Sequence, residues 1–179
     1  YSGVSCHLAC DVQGWSIPSD FNQRFVTRSR PNQERVGIES LDILSTAVIY
    51  GARQSLLYGS ANNVQFAIYD KTLEAVSHRK LQFWESVWLK KNNEQSESVY
   101  QIGQSVKRFE VRFHHSVIKQ LTLKESLVDG QLTFSPVLCY RDLVQYLPSI
   151  WQYALLRLFR LQYNTAAIDP MWTILLDPN

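Results

Sequence analysis

Residues 107–114 alternate without a break: Lys107, Phe109, Val111 and Phe113 point one way, Arg108, Glu110, Arg112 and His114 the other. A period of two belongs to a β-strand, so this segment commits the chain to a sheet with one buried and one polar face. Residues 64–71 repeat the pattern, with Val64, Phe66, Ile68 and Asp70 opposite Gln65, Ala67, Tyr69 and Lys71. A weaker alternation over 4–12 sets Cys6, Leu8 and Cys10 against His7, Ala9 and Asp11. Should that strand join the same sheet, His7 and Asp11 share a polar face with Tyr69, Arg108, Glu110 and Arg112.

Two further runs of strand composition, 46–51 and 55–59, precede 64–71, and Gly51 and the Gly59 to Asn63 stretch supply turn residues between them. An antiparallel meander is expected. The period then lengthens: Leu73, Val76, Leu81, Trp84, Val87 and Trp88 approximate helical spacing, which predicts one or two helices over 72–91. A helical tail is predicted over 141–162, with Pro148 at its first turn or at a break. Strands first and helices after, with hairpin turns rather than helical crossovers, indicate α+β. The expected architecture is a mainly antiparallel sheet with helices packed on one face and an open polar face. The chain contains no internal repeat and no low-complexity segment.

Composition narrows the class. With 45% hydrophobic residues over 179 positions, one sizeable core can be filled, and residues 1–179 are expected to form a single domain. The absence of a starting Met points to a fragment of a longer protein. Cys6, Cys10 and Cys139 have neither disulfide-framework nor zinc-site spacing, so they read as small buried apolar residues in a reducing compartment. No stretch has the length and apolarity of a membrane span, so no membrane partner is expected. A net charge of +2 is low for a protein that grips DNA by bulk charge. Distribution matters more here: Arg24, Arg28, Arg30 and Arg35 crowd into twelve residues around Phe25.

A solvated sheet face carrying charges and a tyrosine is the plain reading of the polar surface. Against it stands the mixture itself, since a Tyr, a Lys, two Arg, an Asp, a Glu and a His on one surface are the groups that phosphodiester chemistry uses. The segment Ile68-Tyr69-Asp70-Lys71-Thr72-Leu73-Glu74 resembles the "YDK…E" signature of rolling-circle replication initiation factors from plasmids, filamentous phages and integrative elements. Phe25-Val26-Thr27-Arg28-Ser29-Arg30 is similar to their "FVTRxR" stretch, and Arg108 to His115 to their "RxExRxHH" strand. Phe83 to Trp88, Trp151 to Leu161 and Asp169 to Trp172 follow in the family's order.

That resemblance implies a relaxase-like endonuclease. It would nick one strand at a replication origin through a tyrosine, leaving a 5′-phosphotyrosine intermediate, with the help of a divalent ion, Mg²⁺ or Mn²⁺. Tyr69 is the implied nucleophile, and Lys71 beside it is expected as a second catalytic residue, clamping the phosphate together with Arg108 and Arg112. Asp11 and Glu110 are the implied metal ligands, their carboxylates close enough to share an ion with His7 near. His7 stands where many relatives carry an acid, and imidazole suits Mn²⁺ better than Mg²⁺. Arg24, Arg28, Arg30, Arg108 and Arg112 are the expected DNA contacts. Implied partners are origin DNA, single-stranded or supercoiled, a second copy as a homodimer, and a host helicase. The implied location is the cytoplasm of a bacterium carrying the mobile element.

Several residues have local readings of their own. His114 and His115, adjacent on a strand, should face opposite ways, which precludes a shared His-x-His metal site and leaves a structural or phosphate-contacting role. Asp70 is either a helix cap or a second contact to the metal, while Glu74 reads as a first-turn residue. The Trp84 and Trp88 pair reads as core. Besides a nickase, two other functions fit the pattern: a module that binds origin DNA without cutting it, and a sheet that binds another protein.

Overall fold

The computed structural model describes residues 5–27, 47–50, 55–89, 100–128, 131–137 and 139–176, with backbone alone for 47–50, 122–128 and 131–136. Its centre is a five-stranded antiparallel sheet. Strand β1 (Cys6–Gln13) leads through α1 (Phe21–Arg24) into the short β2 (Phe25–Thr27). The meander β3 (Ala47–Tyr50), β4 (Ser55–Gly59) and β5 (Val64–Asp70) follows as expected. Helices α2 (Lys71–Ser77) and α3 (Leu81–Trp88) come next, separated at Arg79, whose φ of 56° breaks the helical path. Strand β6 (Val106–Phe113) then enters between β1 and β5, giving the order β1-β6-β5-β4-β3.

β6 alternates because successive side chains point to opposite faces of the sheet, one on the aromatic core and one on the polar side. Its apolar residues and those of β5 form the floor of the core, with Phe66, Ile68, Phe109 and Val111 each 0% exposed. Over that floor lie β2 and the C-terminal elements. Phe25 stacks on Phe66 at 5.5 Å, and Trp172 meets Phe25, Phe66 and Phe109 edge-on. Edge-to-face packing sets the positive rim of one ring against the negative face of another. Trp172 is fully buried, and its indole N–H donates to the Leu155 carbonyl at 2.9 Å. Trp172→Ala is therefore expected to cost about 3–5 kcal/mol, mostly through the cavity left among the three rings. Urea unfolding followed by far-UV circular dichroism measures that loss.

Beyond β6 the chain departs from the expected course. Residues 141–162 are not one helix. They divide into α5 (Tyr140–Val144), α6 (Leu147–Tyr153), a π-helical turn (Ala154–Leu158) and strand β9 (Phe159–Leu161), after α4 (His115–Ile118) and the hairpin β7 (Thr122–Val128) and β8 (Gln131–Pro136). Pro148 lies in the first turn of α6, where its missing N–H costs nothing. β9 pairs with β2, which draws residues 159–161 out of the helix, and α7 (Pro170–Leu176) carries Trp172 into the core. Among the described residues, no helix is long and apolar enough to cross a membrane. Cys6 is buried and Cys10 half-buried, but Cys139 is exposed at the start of α5, which corrects the expectation of three buried thiols.

Candidate active site

The pairing registers align the polar residues of three strands. Asp11, Arg108 and Tyr69 lie in one cross-strand row, Ala9, Glu110 and Ala67 in the next, and His7, Arg112 and Gln65 in a third. Alternation turns all of these side chains away from the aromatic core. In a twisted antiparallel sheet, neighbours in a row and on the diagonal are within reach of long side chains.

The Tyr69 hydroxyl donates to Glu110 Oε2 at 3.0 Å. Glu110 is gripped by Arg112, whose Nε and Nη2 donate to the two carboxylate oxygens at 3.1 Å each, and His7 Nδ1 lies 3.2 Å from Oε1. One row away, Arg108 makes the same two-pronged contact with Asp11 at 2.7 Å for each bond. Burial alone would raise the Glu110 carboxyl. The hydrogen bond and charge of Arg112, the Tyr69 hydroxyl and the charge of His7 outweigh it and hold Glu110 below its ordinary value. Tyr69 moves the other way: burial and the Glu110 charge, only partly offset by Arg108, push it up to about 12. At neutral pH the pair is thus a protonated phenol hydrogen-bonded to an ionised carboxylate.

The expected pairing of Tyr69 with Glu110 on one face is present, and His7 joins them. Asp11 shares the face but is turned toward Arg108 and toward the indole of Trp88, which donates to its Oδ2 at 2.9 Å. Asp11, Glu110 and His7 therefore do not converge on one point. Among the described residues, no group of three or more His, Cys, Asp or Glu side chains is placed to hold a metal ion. Each acid already carries a guanidinium, so a divalent ion would have to displace an arginine from its carboxylate. The donor set as arranged does not fit the implied ion.

Trp84 and Trp88 are not core residues. Helix α3 buries none of its side chains and instead lies against one end of the polar face. The Trp84 ring sits between two cations, Lys71 Nζ at 4.3 Å and the Arg108 guanidinium carbon at 4.4 Å. Aromatic faces attract cations, which holds Trp84 on this polar face, while Trp88 is held by its hydrogen bond to Asp11. The polar face is accordingly capped at its Asp11 end and most open at its His7 end, where the His7 side chain is 56% exposed.

Other predicted residues fall elsewhere. Lys71 is buried, its ammonium held by Glu74 and the Trp84 ring, so it does not present its charge to a bound phosphate. Its ammonium stands 6.0 Å from the centre of the Tyr69 ring. Arg24 adjoins Phe25 on the aromatic side of the sheet, and its Nη1 donates to Asp169 at 2.7 Å and to the Gln162 carbonyl at 3.2 Å. It ties α1 to the segment after β9, on the aromatic side of the sheet and apart from the row that holds Tyr69. Arg28 and Arg30 lie outside the described residues. His114 follows the end of β6, and its Nδ1 accepts from the Ser116 N–H, capping α4. The rings of His114 and His115 lie 3.9 Å apart rather than on opposite faces, because the strand stops at Phe113.

Asp70 is a cap. Its carboxylate ends the apolar row of β5 and accepts from the Leu73 N–H at 2.9 Å and from Ser105 and Lys107 at 2.6 Å each. Burial opposes its ionisation, but the bonds from Lys107, Ser105 and Leu73 prevail and lower its pKa. A depressed folded-state value means that the stability it contributes is present above the unfolded carboxylate value of about 4 and is lost as pH falls through the folded value. Asp70→Asn should lower stability at pH 7 and flatten the loss below about pH 4. Denaturant midpoints taken across that range test the sign.

The chain matches no protein-family model and no solved structure. It is similar to the uncharacterized protein ORF430 of Pseudomonas phage Pf1, at 34% identity over 175 residues. The aligned region takes in 96% of this chain and 40% of that protein, so the chain spans about two fifths of the relative's length.

Proposed function

We propose that the chain is the nicking domain of a replication initiator, and that Tyr69 attacks a DNA phosphodiester with Glu110 as its base. The observation that carries this reading is the Tyr69–Glu110 hydrogen bond with Glu110 fixed from behind by Arg112. A nucleophile, a base within hydrogen-bond reach and a third group orienting the base make up the usual arrangement for covalent catalysis. A relative encoded by a phage suits a replication role in a bacterial cytoplasm.

In the reaction, Tyr69 Oη bonds to phosphorus as its proton passes to Glu110. The bond from phosphorus to the 3′ oxygen breaks, and that oxygen takes up a proton to become a free 3′-hydroxyl. The 5′ end stays on the tyrosine as a phosphodiester, which keeps the bond energy for resealing. With Tyr69 at about 12, a free phenolate is rare near neutrality, so proton transfer has to accompany attack. Arg108 and Arg112 are the cations nearest the new bond. Either guanidinium can exchange its carboxylate for a phosphate oxygen, because both are planar two-oxygen acceptors.

A second reading is favoured by the same ion pairs. With both acids neutralised by arginine, the face can bind origin DNA without cutting it. Incubation with single-stranded oligonucleotides pooled from the origin region of the source replicon, in Mg²⁺, in Mn²⁺ and in EDTA, separates the two readings by intact-mass spectrometry. The nickase gains the mass of an oligonucleotide fragment. Salt-sensitive DNA binding with no gain in any buffer supports the binding module.

A further inference from the structure

We propose that Trp84 of α3 is a positioning residue for strand transfer: its indole keeps the Arg108 guanidinium in place beside the Tyr69 hydroxyl. The inference rests on the nicking reading and adds to it a residue that takes no part in the chemistry itself.

Pairing puts Arg108 in the middle of its row, directly opposite Asp11 on one side and Tyr69 on the other. The Tyr69 hydroxyl feels it through both charge and a hydrogen bond. A long arginine stem has many rotamers, and an aligned guanidinium needs them reduced to one. Asp11 takes Nε and Nη2 at 2.7 Å each, which fixes one edge of the plane. Two parallel bonds still act as a hinge. The Trp84 ring removes that freedom by lying over the flat face, 4.4 Å from the guanidinium carbon. Trp88, one turn along α3, donates to Asp11 Oδ2 at 2.9 Å and so steadies the carboxylate that steadies the arginine.

The two supports differ once DNA arrives. A phosphate oxygen that takes the place of Asp11 breaks the bonds in the plane of the guanidinium. The ring contact survives the exchange, because it uses the face rather than the edge. Trp84 therefore holds Arg108 through the step in which charge builds on phosphorus, when a misaligned cation contributes least. Burial does not account for the place of this indole, since α3 contributes no buried side chain, whereas the cations of Lys71 and Arg108 at 4.3 and 4.4 Å do.

Trp84→Leu keeps apolar bulk and removes the ring face, while Trp84→Tyr keeps a smaller face. With the pooled single-stranded origin oligonucleotides, adduct formation by Trp84→Leu at saturating DNA should slow at least about tenfold. Affinity for the same DNA should change by less than about threefold, because the Arg108 charge stays on the face and only its alignment is lost. Trp84→Tyr should recover most of the rate. A second readout needs no DNA. In ¹H–¹⁵N spectra, the Arg108 Nε–H, assigned by its loss in Arg108→Lys, should be shifted by the ring and slow to exchange. Trp84→Leu should return it to the range of the other arginines, and Trp84→Tyr should not. A Trp84→Leu protein that reacts at the wild-type rate, loses rate and affinity equally, keeps the Arg108 signal unchanged or fails to fold overturns the proposal, as does a Trp84→Tyr protein no faster than Trp84→Leu. A wild-type adduct indifferent to Trp84 leaves the nicking reading standing, whereas a wild type that forms no adduct overturns both.

Discussion

Tyr69→Phe is expected to abolish the covalent adduct with DNA, a loss of at least about 10³-fold, while DNA affinity changes by no more than about fivefold. Phenylalanine keeps the ring beside Lys71 and removes the oxygen that is hydrogen-bonded to Glu110. The bond-making atom disappears, whereas one lost hydrogen bond to a charged partner is worth only about 1–3 kcal/mol in stability and less in binding. Tyr58 cannot substitute: it is buried on the opposite side of the sheet, with its hydroxyl donating to Asn22. Adduct mass and fluorescence anisotropy on the same protein preparation give both numbers. An adduct formed at the wild-type rate removes Tyr69 from the mechanism.

Glu110→Gln should slow adduct formation by about 10²–10⁴-fold near neutral pH, the usual worth of a positioned base. The variant carries its own signature. Burial is the larger cause of the raised Tyr69 pKa and the Glu110 charge the next; glutamine removes that charge, so the tyrosine pKa falls from about 12. The variant should therefore regain rate as pH climbs toward the ordinary tyrosine range, while wild type, with its carboxylate ionised throughout, stays flatter. A purely structural role for Glu110 would slow the reaction equally at every pH. Rates from pH 6 to 10 distinguish the two, and an unchanged pH profile in the variant would exclude Glu110 as the base.

The phenol–carboxylate pair also bears on the order of events at the site. Glu110 is a poor proton acceptor while Arg112 holds both of its oxygens. Under the proposed reaction, a phosphate that drew Arg112 away would leave the carboxylate without a stabilising charge and so more basic. Arriving DNA would thus activate its own nucleophile. Arg112→Lys keeps the charge but loses the two-pronged grip, so it separates the charge from the orienting geometry.

Much of the layout is written in local pattern. The alternation in 107–114 and 64–71 established two strands, their buried residues and the face shared by Tyr69, Arg108, Glu110 and Arg112, because side chains on a strand have only two directions to take. Turn residues marked the meander for the same local reason. What depended on distant partners was not legible. Residues 159–161 carry helical spacing, yet they form a strand because β2 offers them an unpaired edge. Trp84 and Trp88 have core-like spacing, yet Trp84 lies over cations supplied by β6 and the start of α2, and the Trp88 indole donates to Asp11. Asp11 and Glu110 were placed on one face by parity alone, but parity does not say which neighbour a carboxylate chooses. Tertiary packing brought a guanidinium to each, Arg108 to Asp11 and Arg112 to Glu110. Strand parity is a property of the backbone and can be read residue by residue, whereas the partner of a charge is settled by whichever opposite charge the fold brings nearest.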